Sequence, residues 1–406
     1  MKRIAIFLDG TWNRPDADHP TNVLRLSRAV QGMDRDFVPQ ITLYQPGVGS
    51  GRGANRVARA LDRTFGGAFG WGLLEIIEET YRQLIFLYEP GDELFIFGFS
   101  RGGFAARSLA GLIRSCGIPP RRHVARVPEA MDRYVSRKPE THPDDPTSWV
   151  WREDFAPNTA TSDAELKWRR DRHPDSGAIA LKIDYLGIWD TVKALGLPKF
   201  AHVTDRLKAK YAFHDAALSS SVLSARHAIA IDERRLLFPS LPWDNVADLN
   251  LRRRGAYLQQ YFPGDHGSVG GGGSRIGLSS ITLHWIAIGA QQAGLDLSWS
   301  EIDRLAWDFD PEAPLTNKVQ SGGLLAALKA DRPGPEDETA LSLAAFDRYR
   351  RDGRYRPKTL DPLMDELFRD GADEQLRALM IERDGGPTHV PGQAARPRFE
   401  IARRRG

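Results

Sequence analysis

The sequence predicts an α/β protein with a mostly parallel sheet, helices on both faces and one inserted cap. Three observations support this fold class. Short apolar runs at residues 3–8, 93–97 and 179–191 have the length and the flanking turn residues of buried strands. Segments with a helical spacing of apolar residues lie between these runs. The regular alternation of buried strands with amphipathic helices is typical of parallel sheets.

Strand and helix alternate clearly in the first half of the chain. Residues 3–8 form the first predicted strand, which ends at Asp9 and Gly10. Apolar side chains between residues 73 and 88 recur at helical spacing and predict an amphipathic helix. After a turn in EPGDE, residues 93–97 predict a short buried strand that leads directly through GFSRGG into a helix of small residues.

The second half of the chain contains an inserted segment and a weakly patterned end. Residues 119–178 are polar and rich in proline, and we interpret them as the cap. Buried-strand patterns return at residues 179–191 and 256–262. We therefore assign residues 1–365 to one catalytic domain and residues 366–406 to a loosely packed C-terminal tail.

Charge, length and cysteine content restrict the function. The 406 residues suffice for a large domain with a substantial core. With 56 basic and 53 acidic residues, the net charge of +3 gives no electrostatic basis for a nucleic-acid partner. Cys116 is the only cysteine, which excludes an intrachain disulfide and a cysteine-based zinc site.

The hydropathy of the chain predicts a soluble protein. No run approaches the roughly 20 apolar residues that span a bilayer, so we expect no transmembrane segment. The N-terminal apolar run ends at Asp9, too early for a Sec signal peptide. We expect the protein to be cytoplasmic in the producing cell and, if it is exported, to leave without Sec.

Residues Gly98 to Gly102 match the pattern G-x-S-x-G between a predicted strand and a predicted helix, as in a nucleophile elbow. Glycine at both flanking positions lets the strand and the helix approach closely, so that Ser100 projects at the helix N-terminus. There the amide of Arg101 and the helix dipole can stabilise an oxyanion. The alternative is an ordinary turn in which Ser100 only caps the helix.

A nucleophilic serine needs a base and an acid that orients the base. Asp190 directly follows the strand YLGIW and is the best candidate acid, with an N-cap or a surface salt bridge as its alternative roles. His266 follows the strand AYLQQYF on a glycine-rich loop and is the candidate base. The loop after the first strand offers the amide of Gly10 or of Thr11 as a second oxyanion donor. This chemistry needs neither a cofactor nor a metal.

Other histidines follow Asp190 in the chain. We interpret His214 and His227 as structural histidines in a helical stretch, with a minor chance for either as the base, and His284 as a core residue. His202 and His389 have no catalytic setting.

Several longer blocks, in order from residue 4 to about residue 360, extend the pattern beyond the elbow: IFLDGTWN, YQPGVGSG, GDELFIFGFSRGGFAARSLAGLI, YLGIWDTVKALG, RHAIAIDERRLLFPSLPW, QYFPGDHGSVGGGG, LSSITLHWI and YRPKTL. With these blocks the sequence resembles the catalytic domain of the type VI secretion phospholipase effectors of the first lipase class. These effectors are a large bacterial family of α/β-hydrolases.

The resemblance implies a Ser–Asp–His hydrolase that cleaves carboxylic esters, with phospholipids or other lipid acyl esters as the substrate class. It places the nucleophile on Ser100, the acid on Asp190 and the base on His266, and it implies a secretion or immunity partner. One position departs from the family. The family usually reads H-S-D-V-G-G after the base, whereas here Gly267 and Ser268 follow His266. Asp265, directly before the base, is a candidate to compensate for the missing carboxylate.

Two alternatives to the esterase remain open. The departure at Ser268 also fits a catalytically weak member that serves as a binding partner. A metal-dependent phosphohydrolase would use Asp9, Asp190 and His266 instead of Ser100.

Overall fold

A computed structural model describes residues 1–11, 13–47, 67–192, 217–236, 238–253, 255–305, 308–317, 329–367 and 373–383. Its main feature is a six-stranded sheet in the order β2-β1-β3-β6-β7-β8, in which all neighbouring strands are parallel. A separate two-stranded sheet pairs β4 with β5. The strands are β1 (Arg3–Leu8), β2 (Gln40–Gln45), β3 (Glu93–Phe99), β4 (Thr159–Ala160), β5 (Ile179–Ala180), β6 (Tyr185–Trp189), β7 (Ala225–Ala230) and β8 (Tyr257–Phe262).

Helices surround the large sheet. The α-helices are α1 (Asn22–Ala29), α2 (Gly67–Leu87), α3 (Arg101–Cys116), α4 (Val127–Val135), α5 (Pro146–Phe155), α6 (Asp163–Arg172), α7 (Val246–Arg252), α8 (His266–Gly270), α9 (Gly277–Gln292), α10 (Trp299–Leu305), α11 (Leu343–Arg351), α12 (Asp361–Leu367) and α13 (Asp373–Arg383). The prediction of a mostly parallel sheet with helices around it is confirmed. None of the helices in the described ranges is long and apolar enough to cross a bilayer.

Alternating side chains of the buried strands pack into two core layers, one on each face of the sheet. Ile4 and Ile6 of β1 belong to the layer that α2 and α3 cover. Ala5 and Phe7 belong to the opposite layer, which α1 and α9 cover. Since successive side chains of a strand point to opposite faces, a strand covered on both sides must be apolar throughout. This requirement explains the continuous apolar run from which the strand was predicted.

The carboxyl ends of the six parallel strands lie at one edge of the sheet, and the candidate catalytic residues lie at this edge. In open parallel sheets, ligands bind beyond the carboxyl ends of the strands. Ser100 directly follows β3, Asp190 directly follows β6, and His266 follows β8 after a short loop. The three candidate residues are therefore brought to the same edge by topology alone.

The insertion at residues 119–178 forms α4, α5 and α6. Its Tyr134 packs on Gly111 of α3, and the Arg152 side chain donates a hydrogen bond of 2.7 Å to the carbonyl oxygen of Ser115. These contacts lie at the end of α3 that is farther from Ser100. The insertion thus extends the core beside α3, and its predicted role as a cap over the site stays a prediction.

The C-terminal part that the structure describes is more closely packed than the sequence suggested. A third core cluster joins α11, α12 and α13, with Met380 of α13 buried in it. Arg377 of α13 forms an ion pair of 2.7 Å with Asp347 of α11. The domain boundary predicted after residue 365 falls inside α12, and residues 384–406 of the predicted tail lie outside the described residues.

Candidate active site

A sharp turn joins β3 to α3 and carries Ser100. Its backbone has φ 61° and ψ −125°, a strained conformation for a residue with a side chain. The flanking glycines permit this turn, because a Cβ atom on Gly98 would lie 2.4 Å from the carbonyl oxygen of Gly102. A Cβ atom on Gly102 would lie 2.2 Å from the carbonyl oxygen of Leu8. The Ser100 side chain makes no capping hydrogen bond to α3, which contradicts the capping alternative.

Three buried side chains meet at this turn. The Oγ atom of Ser100 lies 2.8 Å from Nε2 of His266, and Nδ1 of the same imidazole lies 2.5 Å from Oδ2 of Asp190. Ser100, His266 and Asp190 are 4%, 6% and 0% exposed. Low exposure strengthens each of these hydrogen bonds, because the effective dielectric constant of the interior is low. The structure therefore brings together the three residues that the sequence singled out as nucleophile, base and acid.

Asp190 is held by more partners than the imidazole. Its Oδ1 atom accepts hydrogen bonds from the Ala230 amide at 2.9 Å and from Nη1 of Arg332 at 2.7 Å. Its Oδ2 atom accepts a second bond from Arg332, from Nη2 at 3.2 Å. Burial alone would raise the pKa of Asp190, but the charge of Arg332 and the hydrogen bond with His266 hold that pKa well below its ordinary value. Because Asp190 is fully buried, it is not a partner in a surface salt bridge, and the helix predicted after Thr191, which it could cap, lies outside the described residues.

The ionised carboxylate of Asp190 determines where the imidazole carries its proton. A carboxylate can only accept hydrogen bonds, so the short contact requires a proton on Nδ1 of His266. Nε2 of a neutral imidazole then has a lone pair that faces the hydroxyl of Ser100. In this arrangement Ser100 donates to His266, which is the orientation that general-base activation of a serine requires.

Two aromatic rings pack against the imidazole. The ring of Phe99 lies 4.6 Å from the His266 ring between centroids, and the ring of Phe238 meets it edge-on at 4.9 Å. The carbonyl oxygen of Phe238 accepts a hydrogen bond of 3.1 Å from Nε of Arg332. These contacts restrict the rotation of the imidazole and shield its faces from water.

The loop after β1 lies against Ser100 and is organised by Asp9. A Cβ atom on Gly10 would lie 3.2 Å from Cβ of Ser100. The Asp9 carboxylate accepts hydrogen bonds from the amide of Gly10 at 2.7 Å and from the hydroxyls of Thr21 at 2.6 Å and Tyr44 at 2.7 Å. The Gly10 amide is thus already engaged by the side chain of its neighbour. Thr11, the other residue whose amide the sequence offered as an oxyanion donor, directly follows Gly10 in this loop.

Asp265, directly before the base, holds the first helical turn that carries His266. Asp265 is the N-cap of α8, and its Oδ1 accepts a hydrogen bond of 2.8 Å from the Ser268 amide. The Ser268 hydroxyl donates to the carbonyl oxygen of Leu315 at 3.0 Å. Asp265 therefore holds the helix that carries His266, while the imidazole itself is oriented by Asp190.

Two further residues at the site were not found from the sequence. Glu233, in the loop after β7, accepts a hydrogen bond of 3.3 Å from the backbone amide of His266 and pairs with Arg235 at 2.5 Å. Arg332 contacts Asp190 from a distant part of the chain. Glu233 and Arg235 lie inside the block RHAIAIDERRLLFPSLPW, which was a signal for this loop. Nothing in the local pattern around Arg332 marked it.

Of the other histidines that follow Asp190, the two that the structure describes, His227 and His284, lie in the core. His227 belongs to β7, a strand and not the helical stretch that we predicted, and burial lowers its pKa to about 3. Its Nε2 atom accepts a hydrogen bond of 3.3 Å from the Thr191 amide, which fits a neutral structural histidine. His284 is buried in α9 between Trp299 and Phe309. The remaining three histidines after Asp190, which are His202, His214 and His389, lie outside the described residues.

The carboxylates of the alternative metal site have other partners. The Asp9 oxygens are occupied by hydrogen-bond donors of its own loop, and those of Asp190 by Ala230, Arg332 and His266. A guanidinium that holds both oxygens of a carboxylate leaves little room for a cation at the same oxygens. Within the described ranges, no group of three His, Cys, Asp or Glu residues could hold a metal ion.

Comparisons with known proteins place the chain in a family. The model of a family described as type VI secretion system (T6SS), phospholipase effector Tle1-like, catalytic domain, matches residues 2–288. The uncharacterized protein YEL023C of Saccharomyces cerevisiae is 31% identical over 252 residues, which are 59% of this chain and 32% of that protein. The chain thus spans about a third of the length of this curated relative.

Two solved structures are similar over large parts of the chain. One is the crystal structure of an uncharacterized protein from Pseudomonas aeruginosa, with 18% identity, a TM-score of 0.39 and coverage of 95% of this chain and 62% of that one. The other is the Tle1 effector bound to the VgrG spike of the type VI secretion system, with 17% identity, a TM-score of 0.34 and coverage of 66% and 50%. The family match covers more than half of the chain, and the chain therefore belongs to the Tle1-like phospholipase effector family.

Proposed function

We propose that this protein is a serine hydrolase that cleaves the acyl esters of phospholipids or related lipids through an acyl-enzyme. The observation that carries the proposal is the hydrogen-bonded chain from Ser100 through His266 to Asp190, with contacts of 2.8 and 2.5 Å. Membership in a phospholipase effector family supports the same class of activity. No cofactor is needed for this chemistry.

The first half of the reaction acylates Ser100. Nε2 of His266 takes the hydroxyl proton while Oγ attacks the ester carbonyl carbon, and the carbonyl electron pair moves to the oxygen to give a tetrahedral intermediate. Asp190 stabilises the imidazolium that forms. When the intermediate collapses, the imidazolium returns its proton to the departing alcohol oxygen, and the acyl group remains on Ser100.

The second half of the reaction releases the acid. Nε2 of His266 takes a proton from water, whose oxygen attacks the acyl carbonyl carbon. The second tetrahedral intermediate then breaks its bond to Oγ, which recovers a proton from the imidazolium. The products are the lysolipid or alcohol released earlier and a free fatty acid.

Both tetrahedral intermediates carry a negative oxygen that needs donors. We assign these donors to the backbone amides of Arg101, at the start of α3, and Thr11, in the loop beside Ser100. Asp9 supports this role indirectly, because its carboxylate fixes the loop through Gly10, Thr21 and Tyr44. A loop fixed before the substrate binds does not have to reorganise during the reaction.

A secretion partner is part of the same proposal. The Tle1 effector among the similar structures is bound to a VgrG spike, and an analogous carrier would export this protein. Delivery to a foreign membrane would give a phospholipase its substrate and make an immunity partner useful to the producing cell.

Hydrolysis of a chain-length series tests the proposal. Wild-type protein and Ser100→Ala are assayed with p-nitrophenyl esters from short to long acyl chains and with mixed phospholipid vesicles. We expect turnover by the wild type alone, and its chain-length preference separates an esterase from a phospholipase. Ser115→Ala, at the other end of α3, is the matched control and keeps full activity. A folded wild type that is inactive on every ester would favour the binding-partner alternative. Activity that survives in Ser100→Ala and disappears with a chelator would favour the metal-dependent alternative.

A further inference from the structure

Arg332 reaches the candidate acid from outside the region that the family model matches, which ends at residue 288. Its guanidinium donates to both oxygens of Asp190, from Nη1 at 2.7 Å and from Nη2 at 3.2 Å. The same group donates to the carbonyl oxygens of Ala230 at 3.1 Å and Phe238 at 3.1 Å. Arg332 is buried, so these bonds form away from bulk water.

The backbone that carries Arg332 is itself fixed to the catalytic edge of the sheet. Lys329 forms an antiparallel bridge with Arg235, and the Ala330 amide donates a hydrogen bond of 2.8 Å to the carbonyl oxygen of Arg234. An ion pair of 2.8 Å joins Arg234 to Asp331. The segment therefore extends the loop after β7, whose Phe238 packs on the imidazole.

We infer that Arg332 is a positioning residue for the reaction proposed above. It sets the plane of the Asp190 carboxylate and, through the carbonyl oxygen of Phe238, holds an aromatic ring against His266. The inference rests on the proposed function. It extends the catalytic unit to a segment that the family match does not include.

Arg332 can position the carboxylate because the two nitrogens of its planar guanidinium each donate to one oxygen of Asp190. A carboxylate held only by one imidazole could rotate about its Cβ–Cγ bond and lose the alignment of Oδ2 with Nδ1. The two parallel bonds from Arg332, together with the Ala230 amide on Oδ1, remove this freedom. A lysine at the same place would keep the charge but would lack the planar fork.

Arg332→Met and Arg332→Lys test the inference with two measurements. The first is the separate determination of kcat and KM on a short-chain ester. The second needs no turnover: it is the downfield proton resonance of the Nδ1–H group between His266 and Asp190, assigned by its loss in His266→Gln. Arg348→Met is the matched control, because Arg348 is also a buried arginine of the C-terminal part and bonds to the carbonyl oxygens of Pro311 and Ala313.

For Arg332→Met we expect kcat to fall about 100-fold at nearly constant KM, because the base loses its alignment. The downfield resonance should broaden or vanish. Arg332→Lys should restore only part of kcat. Arg348→Met should change the melting temperature without changing kcat or the resonance.

A folded Arg332→Met with the wild-type kcat and resonance would overturn the inference, and so would a loss of activity that Arg348→Met reproduces. If Arg332→Met does not fold, the same criteria apply to Arg332→Lys, whose unchanged kcat and resonance would also overturn it. If the wild type hydrolyses no ester, the proposed function fails, and the resonance in the wild type and the Arg332 variants still decides the positioning role.

Discussion

The Oγ atom of Ser100 lies 2.8 Å from Nε2 of His266, although the two residues are 166 positions apart in the sequence. The contact exists because β3 and β8 are parallel strands of one sheet, and the loops at their carboxyl ends therefore meet at one edge. Asp190 completes the arrangement from the end of β6, between them.

Replacing Asp190 by asparagine should reduce kcat by about 10⁴-fold. In Asp190 one carboxylate oxygen accepts from His266 and the other from Arg332, whereas an asparagine side chain has only one oxygen that can accept. The measurement is steady-state hydrolysis of a short-chain ester at neutral pH. Asp184→Asn is the control: Asp184 precedes β6 at the opposite edge of the sheet, where it accepts a hydrogen bond from the Leu94 amide. Equal activities of the two variants would contradict the role of Asp190.

Gly98→Ala should destabilise the protein by several kcal/mol, because its Cβ atom would lie 2.4 Å from backbone atoms of Gly102 that cannot move independently of α3. Urea unfolding followed by circular dichroism measures the change in the free energy of unfolding. Gly32→Ala is the matched control, since a Cβ atom there has no heavy atom within 4 Å. A Gly98 variant as stable as the Gly32 variant would show that the turn is not as tight as described.

Asp9→Asn should lower kcat about 10-fold to 100-fold with little change in KM, because the loop that carries Thr11 loses its anionic acceptor beside Ser100. Tyr44→Phe removes one of the hydrogen bonds to Asp9 and should have a smaller effect. Rates on one ester at saturating and subsaturating concentrations separate kcat from KM. A rise in KM at constant kcat would instead place Asp9 in substrate binding.

Glu165 should make the stability of the insertion depend on pH. Its carboxylate pairs with the buried guanidinium groups of Arg152 at 2.9 Å and Arg169 at 2.7 Å. Burial alone would raise the pKa of Glu165, but the two arginines lower it below the ordinary value of 4.5. A carboxyl whose pKa is lower in the folded state stabilises the protein above its unfolded pKa. This stabilisation is lost as the pH falls through the folded value.

The melting temperatures of the wild type and Glu165→Gln between pH 7 and pH 3 test this dependence. At pH 7 the variant should be less stable by about 3–5 kcal/mol, because two buried arginines lose their partner. The difference should shrink as the pH falls below 4.5 and through the lowered pKa of the folded wild-type carboxyl, which then takes up its proton. Glu129→Gln, on the surface of α4, should have a small effect at every pH. A constant difference for Glu165→Gln would contradict the assignment.

Much of this site could be predicted from the sequence, because its main residues directly follow strands that can be recognised from short stretches of sequence. The apolar strands, the glycines around Ser100 and the acid directly after YLGIW are each visible in a few consecutive residues. Parallel strands then bring their carboxyl ends together without further information. The assignment of His227 to a helical stretch was wrong, because ARHAIA is short enough to form either a helix or a strand.

Arg332 and Glu233 could not be predicted for a physical reason. Each acts through a contact between segments that are distant in the sequence, and the chain has 56 lysines and arginines that look alike at this level. The same limit applied to Gly10, whose amide donates a hydrogen bond to the side chain of Asp9. Such hydrogen bonds depend on loop conformation, which strand and helix patterns do not specify.

Covalent trapping tests the central claim most directly. The folded protein is incubated with a fluorophosphonate probe at neutral pH, and the modified residue is identified by peptide mass spectrometry. We expect one adduct, on Ser100, with labelling abolished in Ser100→Ala and strongly slowed in His266→Gln, because the hydroxyl reacts only when the imidazole takes its proton. A folded wild type that stays unlabelled, or one that is labelled equally fast without His266, would contradict the account.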